Sequence, residues 1–164
     1  MYIPFGYTES VTPDPDAETR SDDLLSLENQ VCFALAVASR SVLALYRPLL
    51  EPHGLTHPQY LVMLTLWEHD PRTVTEIGAA LQLDKATLSP LLKRLETAGY
   101  ITRERNTKDE RSLDIALTDA GRALRAEAER IPPHIIQELG MSLDELGDLR
   151  EVLRGVINAA TKNA

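Results

Sequence analysis

The spacing of apolar residues along the chain predicts a mainly helical fold. Across residues 24–50, apolar side chains recur every three or four positions, which is the period of an amphipathic α-helix. The residues that carry this period are Leu27, Val31, Leu35, Val42, Leu45 and Leu49. Pro52 and Gly54 are expected to end the helix, because proline lacks a backbone donor and glycine tolerates the left-handed conformation common at helix C-termini.

Capping residues mark where later helices begin. A Ser or Thr followed three positions later by Glu or Gln can satisfy backbone N–H groups that the first helical turn leaves unpaired. The chain has this pattern at Thr56 with Gln59, at Thr73 with Glu76 and at Ser142 with Glu145. The helix after Thr73 is predicted to end near Leu81.

A further helix is predicted to start at Asp84 as its N-cap and to run to about Ala98, with Gly99 at its C-terminal end. Pro90 complicates this helix because it removes a backbone donor inside it. Either the helix begins later, near Thr87, or it bends at the proline, and the sequence leaves both possibilities open.

Two short strands, residues 101–105 and 112–117, follow that helix and are joined by a charged turn. One face of the second strand is expected to be buried, because alternate residues are apolar. These alternating residues are Leu113, Ile115 and Leu117. Thr118 then begins a helix that Pro132 and Pro133 interrupt.

Residues 73–117 therefore combine a short helix, a turn, a second helix and a β-hairpin. This arrangement is a winged helix–turn–helix, which contacts DNA with its second helix in the major groove and with the hairpin tip on the backbone or in the minor groove. Residues 1–21 are rich in Pro, Asp, Glu and Thr and are predicted to form a mobile tail. Residues 22–164 are expected to form a single domain.

The distribution of charge along the chain is compatible with DNA binding, although the net charge is negative. The net charge is −8, which by itself argues against DNA binding. However, residues 85–111 hold seven basic and four acidic residues, a net of +3, so the remainder carries −11. A local basic patch on an acidic body can bind phosphates while the acidic surface limits unspecific contacts.

The composition also indicates the cellular compartment of the protein. One cysteine excludes an intrachain disulfide framework and fits a reducing cytoplasm. We find no apolar run of the ~18 residues that a membrane span needs, and no secretory signal pattern. We therefore expect a cytoplasmic protein that does not associate with a membrane, and we expect no cofactor and no metal.

Several sequence blocks resemble the MarR family of dimeric winged-helix repressors, over about residues 24–160. The blocks are residues 88–96, 99–101, 109–111 and 117–121. Within that family the chain is similar to the one-cysteine organic hydroperoxide sensors of the OhrR type, on residues 27–35, 45–49 and 55–64. The resemblance implies a mainly α fold with a small β-hairpin wing and a dimer, with dimerisation helices at about 24–50 and 118–160 and the winged helix–turn–helix at about 56–117.

The resemblance also changes the interpretation of Cys32. A lone cysteine in an amphipathic helix is ordinarily a small buried hydrophobe, whereas similarity to the sensors places Cys32 at the position of their peroxide-reactive thiol. Thiols react as thiolates, and no basic residue lies near Cys32 in the sequence. Hydrogen-bond donors to the sulfur must therefore come from elsewhere in the fold.

Three residues are candidate donors. Tyr46 falls on nearly the same helix face as Cys32 but about 21 Å further along the axis, and the resemblance implies that Tyr46 of one subunit approaches Cys32 of the other. His57 stands where these sensors often have a second tyrosine, and Tyr60 lies one turn later. An interface tyrosine with its hydroxyl at the rim and a solvent-exposed first-turn histidine are the alternatives.

The basic stretch supplies candidate contacts to DNA. Lys85, Thr87 and Ser89 lie at the start of the second helix, where side chains reach base edges. Lys93 and Arg94 are expected to hold phosphates.

The wing supplies the other contacts. Arg111 and Lys108 would place cations at or in the minor groove. Asp109 is expected to orient Arg111 through an ion pair, an arrangement that the resemblance implies.

These observations favour a repressor that leaves a pseudo-palindromic operator after an organic hydroperoxide oxidises Cys32 to a sulfenic acid. A small cellular thiol, a backbone sulfenamide or over-oxidation would follow, because the chain has no second cysteine. The alternative is a MarR-type repressor released by a small aromatic ligand, with Cys32 incidental. An enzyme, a thiol peroxidase, is not expected, since we find no resolving cysteine and no peroxidase motif.

Overall fold

The computed structural model describes residues 25–105 and 113–162. These residues form seven α-helices, three short strands and two 3₁₀ turns. The helices are α1 (Val31–Leu50), α2 (His57–Glu68), α3 (Val74–Leu81), α4 (Lys85–Thr97), α5 (Asp119–Ala128), α6 (Ile131–Leu139) and α7 (Leu143–Lys162). The strands are β1 (Arg72–Thr73), β2 (Ile101–Arg105) and β3 (Leu113–Leu117). The prediction of a mainly α fold with a small β-hairpin wing is confirmed.

The chain divides into two compact units, Met1–Ser41 and Val42–Ala164. The described part of the first unit holds a 3₁₀ turn, Leu27–Asn29, and the first half of α1. The predicted start of this helix at residue 24 was wrong: Gln30 has an extended backbone, with φ −84° and ψ 110°, so α1 begins only at Val31. The predicted tail, residues 1–21, lies outside the described residues.

The second unit contains the helix–turn–helix, the sheet and the carboxyl-terminal helices. The three strands are antiparallel in the order β1–β3–β2. Ile101 pairs with Leu117 and Arg105 pairs with Leu113, so β2 and β3 form the stem of the predicted wing. The sequence did not predict β1, whose Arg72 pairs with Ile115, because two residues are too short to show a strand period.

The core of this unit joins the helix–turn–helix to the sheet. Leu88, Leu92 and Leu95 of α4 are almost fully buried, as expected for one face of an amphipathic helix. They form one cluster with buried residues of α2, α3, β2 and β3, among them Val62, Met63, Leu66, Ile77, Ile101 and Ile115.

The predicted helix ends agree with the structure at most positions. Gln59 Oε1 accepts the N–H of Thr56 at 2.8 Å, Glu76 Oε2 accepts that of Thr73 at 2.7 Å, and Glu145 Oε2 accepts that of Ser142 at 2.7 Å. Gly54 ends the 3₁₀ turn after α1 with φ +66°. Pro132 and Pro133 lie in the first turn of α6, after α5 has ended at Ala128; proline is tolerated there because first-turn N–H groups have no helical partner.

Two expectations need correction. Leu113 is 40% exposed rather than buried, because it lies at the end of β3 that is far from the core. The expectation that no apolar run is long enough to span a membrane was also wrong. Within the described part of the chain, α1 and the 3₁₀ turn that follows it, together Val31–His53, are long and apolar enough by length and composition to cross a membrane.

Candidate functional site

The second helix of the helix–turn–helix, α4, begins at Lys85. Asp84 caps it, since its Oδ1 accepts the N–H of Thr87 at 2.7 Å. Of the two possibilities that Pro90 left open, a delayed start near Thr87 is excluded, and Pro90 lies inside the helix. The cap explains the early start: it satisfies a first-turn N–H that would otherwise lack a partner.

The five predicted contacts of α4 to DNA share its outer face. Each of their side chains is exposed, whereas the leucines of the opposite face are buried. The five are Lys85, Thr87, Ser89, Lys93 and Arg94. The helix therefore offers two hydroxyls and three cations to solvent, which is the side-chain chemistry that contacts base edges and phosphates.

An ion pair connects strand β2 of the wing to α4, and the sequence analysis did not predict it. Arg103 on β2 donates from Nε to Glu96 Oε2 at 2.8 Å, and its terminal nitrogen contacts the same oxygen. This hydrogen bond lowers the pKa of Glu96 below its ordinary value. The three predicted wing contacts, Lys108, Asp109 and Arg111, lie outside the described residues.

Asp70, in the segment that follows α2, joins that segment to the base of the wing, and the sequence analysis did not identify it. Its Oδ1 accepts the N–H of Leu117 at 2.9 Å, and its Oδ2 accepts a guanidinium N–H of Arg122 at 2.6 Å. These partners lie 47 and 52 residues away in sequence, so no local pattern could have identified them.

The three predicted donors to the cysteine sulfur come together within one chain. The ring centroids of Tyr46 and His57 are 4.8 Å apart in an edge-on arrangement. Tyr60 completes a ring cluster, with its centroid 6.0 Å from Tyr46 and 6.3 Å from His57. Hereafter this group of Tyr46, His57 and Tyr60 is called the ring cluster.

Burial shifts the pKa values of the ring cluster. It raises the pKa of Tyr46, and burial followed by the charge of Tyr46 raises the pKa of Tyr60. Burial lowers the pKa of His57 below 6.5. At neutral pH all three groups are uncharged, and the two tyrosine hydroxyls remain donors. The lowered pKa of His57 therefore disfavours a protonated ring that would stabilise a thiolate by its charge.

Trp67 of α2 extends the cluster, and the sequence analysis did not identify it. Its ring centroid lies 6.2 Å from that of Tyr60, and its indole Nε1–H donates to the carbonyl oxygen of Gly121 at 2.9 Å. The signal that could have identified it is chemical: a partly buried indole N–H needs an acceptor.

Cys32 lies in the first turn of α1, and its side chain is exposed in the single chain. This placement disfavours a buried structural cysteine within one subunit. It leaves the thiol accessible to an oxidant, to a small thiol or to a second subunit.

Comparison with known proteins decides the family. Residues 55–113 match the model of the MarR family. The organic hydroperoxide resistance transcriptional regulator of Bacillus subtilis (strain 168) is 46% identical over 130 residues, which is 79% of this chain and 86% of the relative. The chain belongs to the MarR family.

Other relatives of this MarR-family protein are also regulators. TtmR of Methylorubrum extorquens (strain PA1) is 47% identical over 129 residues. These residues are 79% of this chain and 66% of TtmR. The relatives are named transcriptional regulators rather than enzymes, in agreement with the expectation that this chain is not an enzyme.

Solved structures support the same fold. Reduced AbfR bound to DNA is similar with a TM-score of 0.73 and 36% identity, covering 85% of this chain and 96% of that one. AbfR of Staphylococcus epidermidis is similar with a TM-score of 0.70 and 39% identity, covering 87% and 99%. This protein is thus a transcriptional regulator of the MarR type, and its resemblance to the OhrR-type sensors is confirmed.

Proposed function

We propose that this MarR-family protein is a cytoplasmic homodimeric repressor that binds a pseudo-palindromic operator and is released when an organic hydroperoxide oxidises Cys32. The ring cluster is the observation that supports this most directly. Its buried Tyr60, half-buried Tyr46 and neutral imidazole are hydrogen-bond donors gathered at one place, and the single cysteine of the chain is accessible.

The hydroperoxide and two thiols supply every reactant for the oxidation and the recovery of Cys32. The thiolate of Cys32 attacks one oxygen of the hydroperoxide, the O–O bond breaks, and the sulfur becomes a sulfenic acid. The other oxygen leaves as an alkoxide that takes up a proton and becomes the alcohol. A small cellular thiol then condenses with the sulfenic acid, releasing water and forming a mixed disulfide, and a second thiol restores the free cysteine.

The proposed homodimer serves both DNA binding and the sensing of peroxide. Two recognition helices one turn of DNA apart read two half-sites, and donors from the ring cluster of one subunit reach Cys32 of the other. Oxidation changes the hydrogen bonds that the sulfur can accept, so the interface repacks and the spacing of the two α4 helices no longer matches the operator. The relative from B. subtilis is named for organic hydroperoxide resistance, and AbfR has been solved on DNA in reduced and overoxidised forms.

Operator binding measured through a redox cycle tests the proposal. The operator is first selected from a random DNA pool by the reduced protein, and affinity is then measured by fluorescence anisotropy. Cumene hydroperoxide should release the wild type, excess dithiothreitol should restore binding, and Cys32→Ser should stay bound throughout. Release of Cys32→Ser by the peroxide would show that the proposed mechanism is wrong.

A cavity favours the second candidate function, release by a small aromatic ligand. It has a volume of about 250 Å³ between α2 and the α5–α6 region. Its lining combines aromatic, apolar and charged side chains: Tyr60, Leu64, Trp67, Glu68, Arg125, Ala128, Glu129 and Pro132. Salicylate added to the same anisotropy assay distinguishes the two functions, because under this alternative it releases the wild type and Cys32→Ser equally.

A further inference from the structure

A continuous set of contacts leads from the ring cluster to the base of the wing, and Trp67 is in its middle. On one side its ring meets that of Tyr60 at a centroid distance of 6.2 Å and an angle of 65°. On the other side its indole N–H donates to the carbonyl oxygen of Gly121, 54 residues away in sequence. Trp67 is therefore bonded to the first turn of α5 while it touches the ring cluster.

The first turn of α5 is in turn held tightly against the start of β2. A Cβ atom at Gly121 would lie 2.1 Å from the carbonyl oxygen of Tyr100, so the two backbones are in direct contact there. Thr118 donates its N–H to the same Tyr100 oxygen at 3.0 Å and its hydroxyl to the carbonyl oxygen of Gly99 at 2.6 Å. Because close-packed backbones do not deform independently, a displacement of this turn moves the stem of the wing.

The junction of α5 with β2 and β3 has other contacts besides that of Trp67. Asp70 fastens the end of β3 and Arg122 of α5 through two separate hydrogen bonds. Loss of the indole N–H therefore leaves the wing attached but removes a hydrogen bond that links α5 to the ring that contacts Tyr60.

We infer that Trp67 is a positioning residue that couples the ring cluster to the wing, so that the state of the sensing site changes how the wing meets DNA. The inference rests on the proposed function. When the sulfur of Cys32 gains an oxygen, the donors of the ring cluster rearrange around it, and the Tyr60 ring shifts against Trp67. The indole then pulls on the Gly121 carbonyl, and the junction of α5 with β2 and β3 follows.

Trp67→Phe and Thr65→Val form a matched pair for testing this coupling. Trp67→Phe keeps an aromatic ring near Tyr60 but lacks the N–H donor. Thr65→Val, two residues away on the same helix, also loses one side-chain bond to a backbone oxygen, that of Thr65 Oγ1 to the Val62 carbonyl at 2.8 Å. Both variants lose a hydrogen bond from α2, but only Trp67→Phe loses the bond to α5.

The quantity to measure is the ratio of operator dissociation constants after and before oxidation, with the oxidation of Cys32 verified by mass spectrometry. In Trp67→Phe this ratio should be about tenfold smaller than in the wild type, within the usual range of coupling between sites. In Thr65→Val it should be unchanged. An unchanged ratio in Trp67→Phe, or an equal loss in both variants, would overturn the inference.

A spectroscopic measurement does not depend on any variant of Trp67. The chain has one tryptophan, so emission excited beyond the absorption band of tyrosine reports on Trp67 alone. The emission spectrum of the wild type should shift as Cys32 is oxidised, and that of Cys32→Ser should not. An unchanged spectrum in protein that is oxidised and released from DNA would overturn the coupling role while leaving the proposed function intact. Wild-type protein that stays on DNA after oxidation would overturn both.

Discussion

Burial favours the neutral state of every residue in the ring cluster. Tyr46 and Tyr60 have raised pKa values, so they stay protonated and able to donate. His57 has a lowered pKa, so its ring is neutral at physiological pH and donates through one nitrogen only. The neutral state of His57, whose ordinary pKa lies near physiological pH, depends on this burial, and the sequence alone does not reveal it.

The lowered pKa of His57 predicts a pH-dependent stability. Below its ordinary value of 6.5, the unfolded chain binds a proton on this histidine more readily than the folded chain. The contribution of His57 is therefore fully present above about pH 7 and is lost as the pH falls through the folded-state pKa. The unfolding free energy, measured by urea denaturation at about pH 7.5 and about pH 5.5, should fall more for the wild type than for His57→Gln. Equal losses would contradict the prediction.

A side chain at Gly121 should destabilise the fold by a steric clash, whereas a side chain at Gly155 should not. The Cβ of Gly121→Ala would meet the Tyr100 carbonyl oxygen, a backbone atom that cannot rotate away. We expect a loss of about 1–3 kcal/mol in unfolding free energy, as for other overpacked sites. Gly155→Ala is the control, because a Cβ there meets nothing within 4 Å and alanine favours the helical state. Thermal denaturation monitored by circular dichroism compares the two, and similar effects would show that the close contact is not limiting.

At the scale of elements, α4 shows how one helix serves both core and surface. Its leucines are buried and its polar and basic residues are exposed, so a change on the outer face can alter DNA binding without disturbing the core. The Asp84 cap and the ion pair of Glu96 with Arg103 hold its two ends.

Lys93 and Ser89 should affect DNA binding in different ways. If Lys93 holds a phosphate as expected, Lys93→Ala should weaken binding similarly for all sequences and reduce the slope of log affinity against log salt by about one. Ser89→Ala should change the preferred bases and leave the slope unchanged. Anisotropy titrations over a range of salt, on the selected operator and on a scrambled duplex, measure both. A changed base preference with an unchanged slope in Lys93→Ala would contradict the phosphate role.

Element boundaries were predictable where local interactions decide them. Capping at Thr56, Thr73, Asp84 and Ser142 involves residues three positions apart, and the helical period involves neighbours on one face. The short strand β1 was not predictable, since its existence depends on pairing with β3, some forty residues later.

At the scale of the whole molecule, two helices carry large apolar side chains that are exposed in the described part of the chain. On α7 several large apolar side chains are exposed: Leu143, Leu149, Val152, Val156 and Ile157. On α1, Val31 is 66% exposed. An apolar helix that is uncovered in one chain explains why Val31–His53 has the composition of a membrane span, and a second subunit would cover such surfaces.

Val152→Glu should therefore weaken the dimer. This side chain is 65% exposed in the single chain, so the substitution does not disturb the core of one subunit. A carboxylate buried without a partner is costly, and we expect the dimer dissociation constant to rise by at least about tenfold. Ala126→Glu, at an exposed position on α5, is the control. Sedimentation velocity over a concentration series measures both, and an unchanged dimer in Val152→Glu would exclude this face of α7 as the interface.

The amino-acid sequence by itself determined the helices, most of their caps, the two-stranded wing and the family, because these follow from interactions between residues close along the chain and from blocks of characteristic residues. Only the tertiary structure decided which side chains meet across the fold. Trp67 reaches Gly121, Asp70 reaches Leu117 and Arg122, and the ring cluster gathers three residues from two helices. The first two sets of contacts join residues about fifty positions apart, and burial shifts the pKa values of the ring cluster. Neither effect leaves a periodic or local pattern in the sequence.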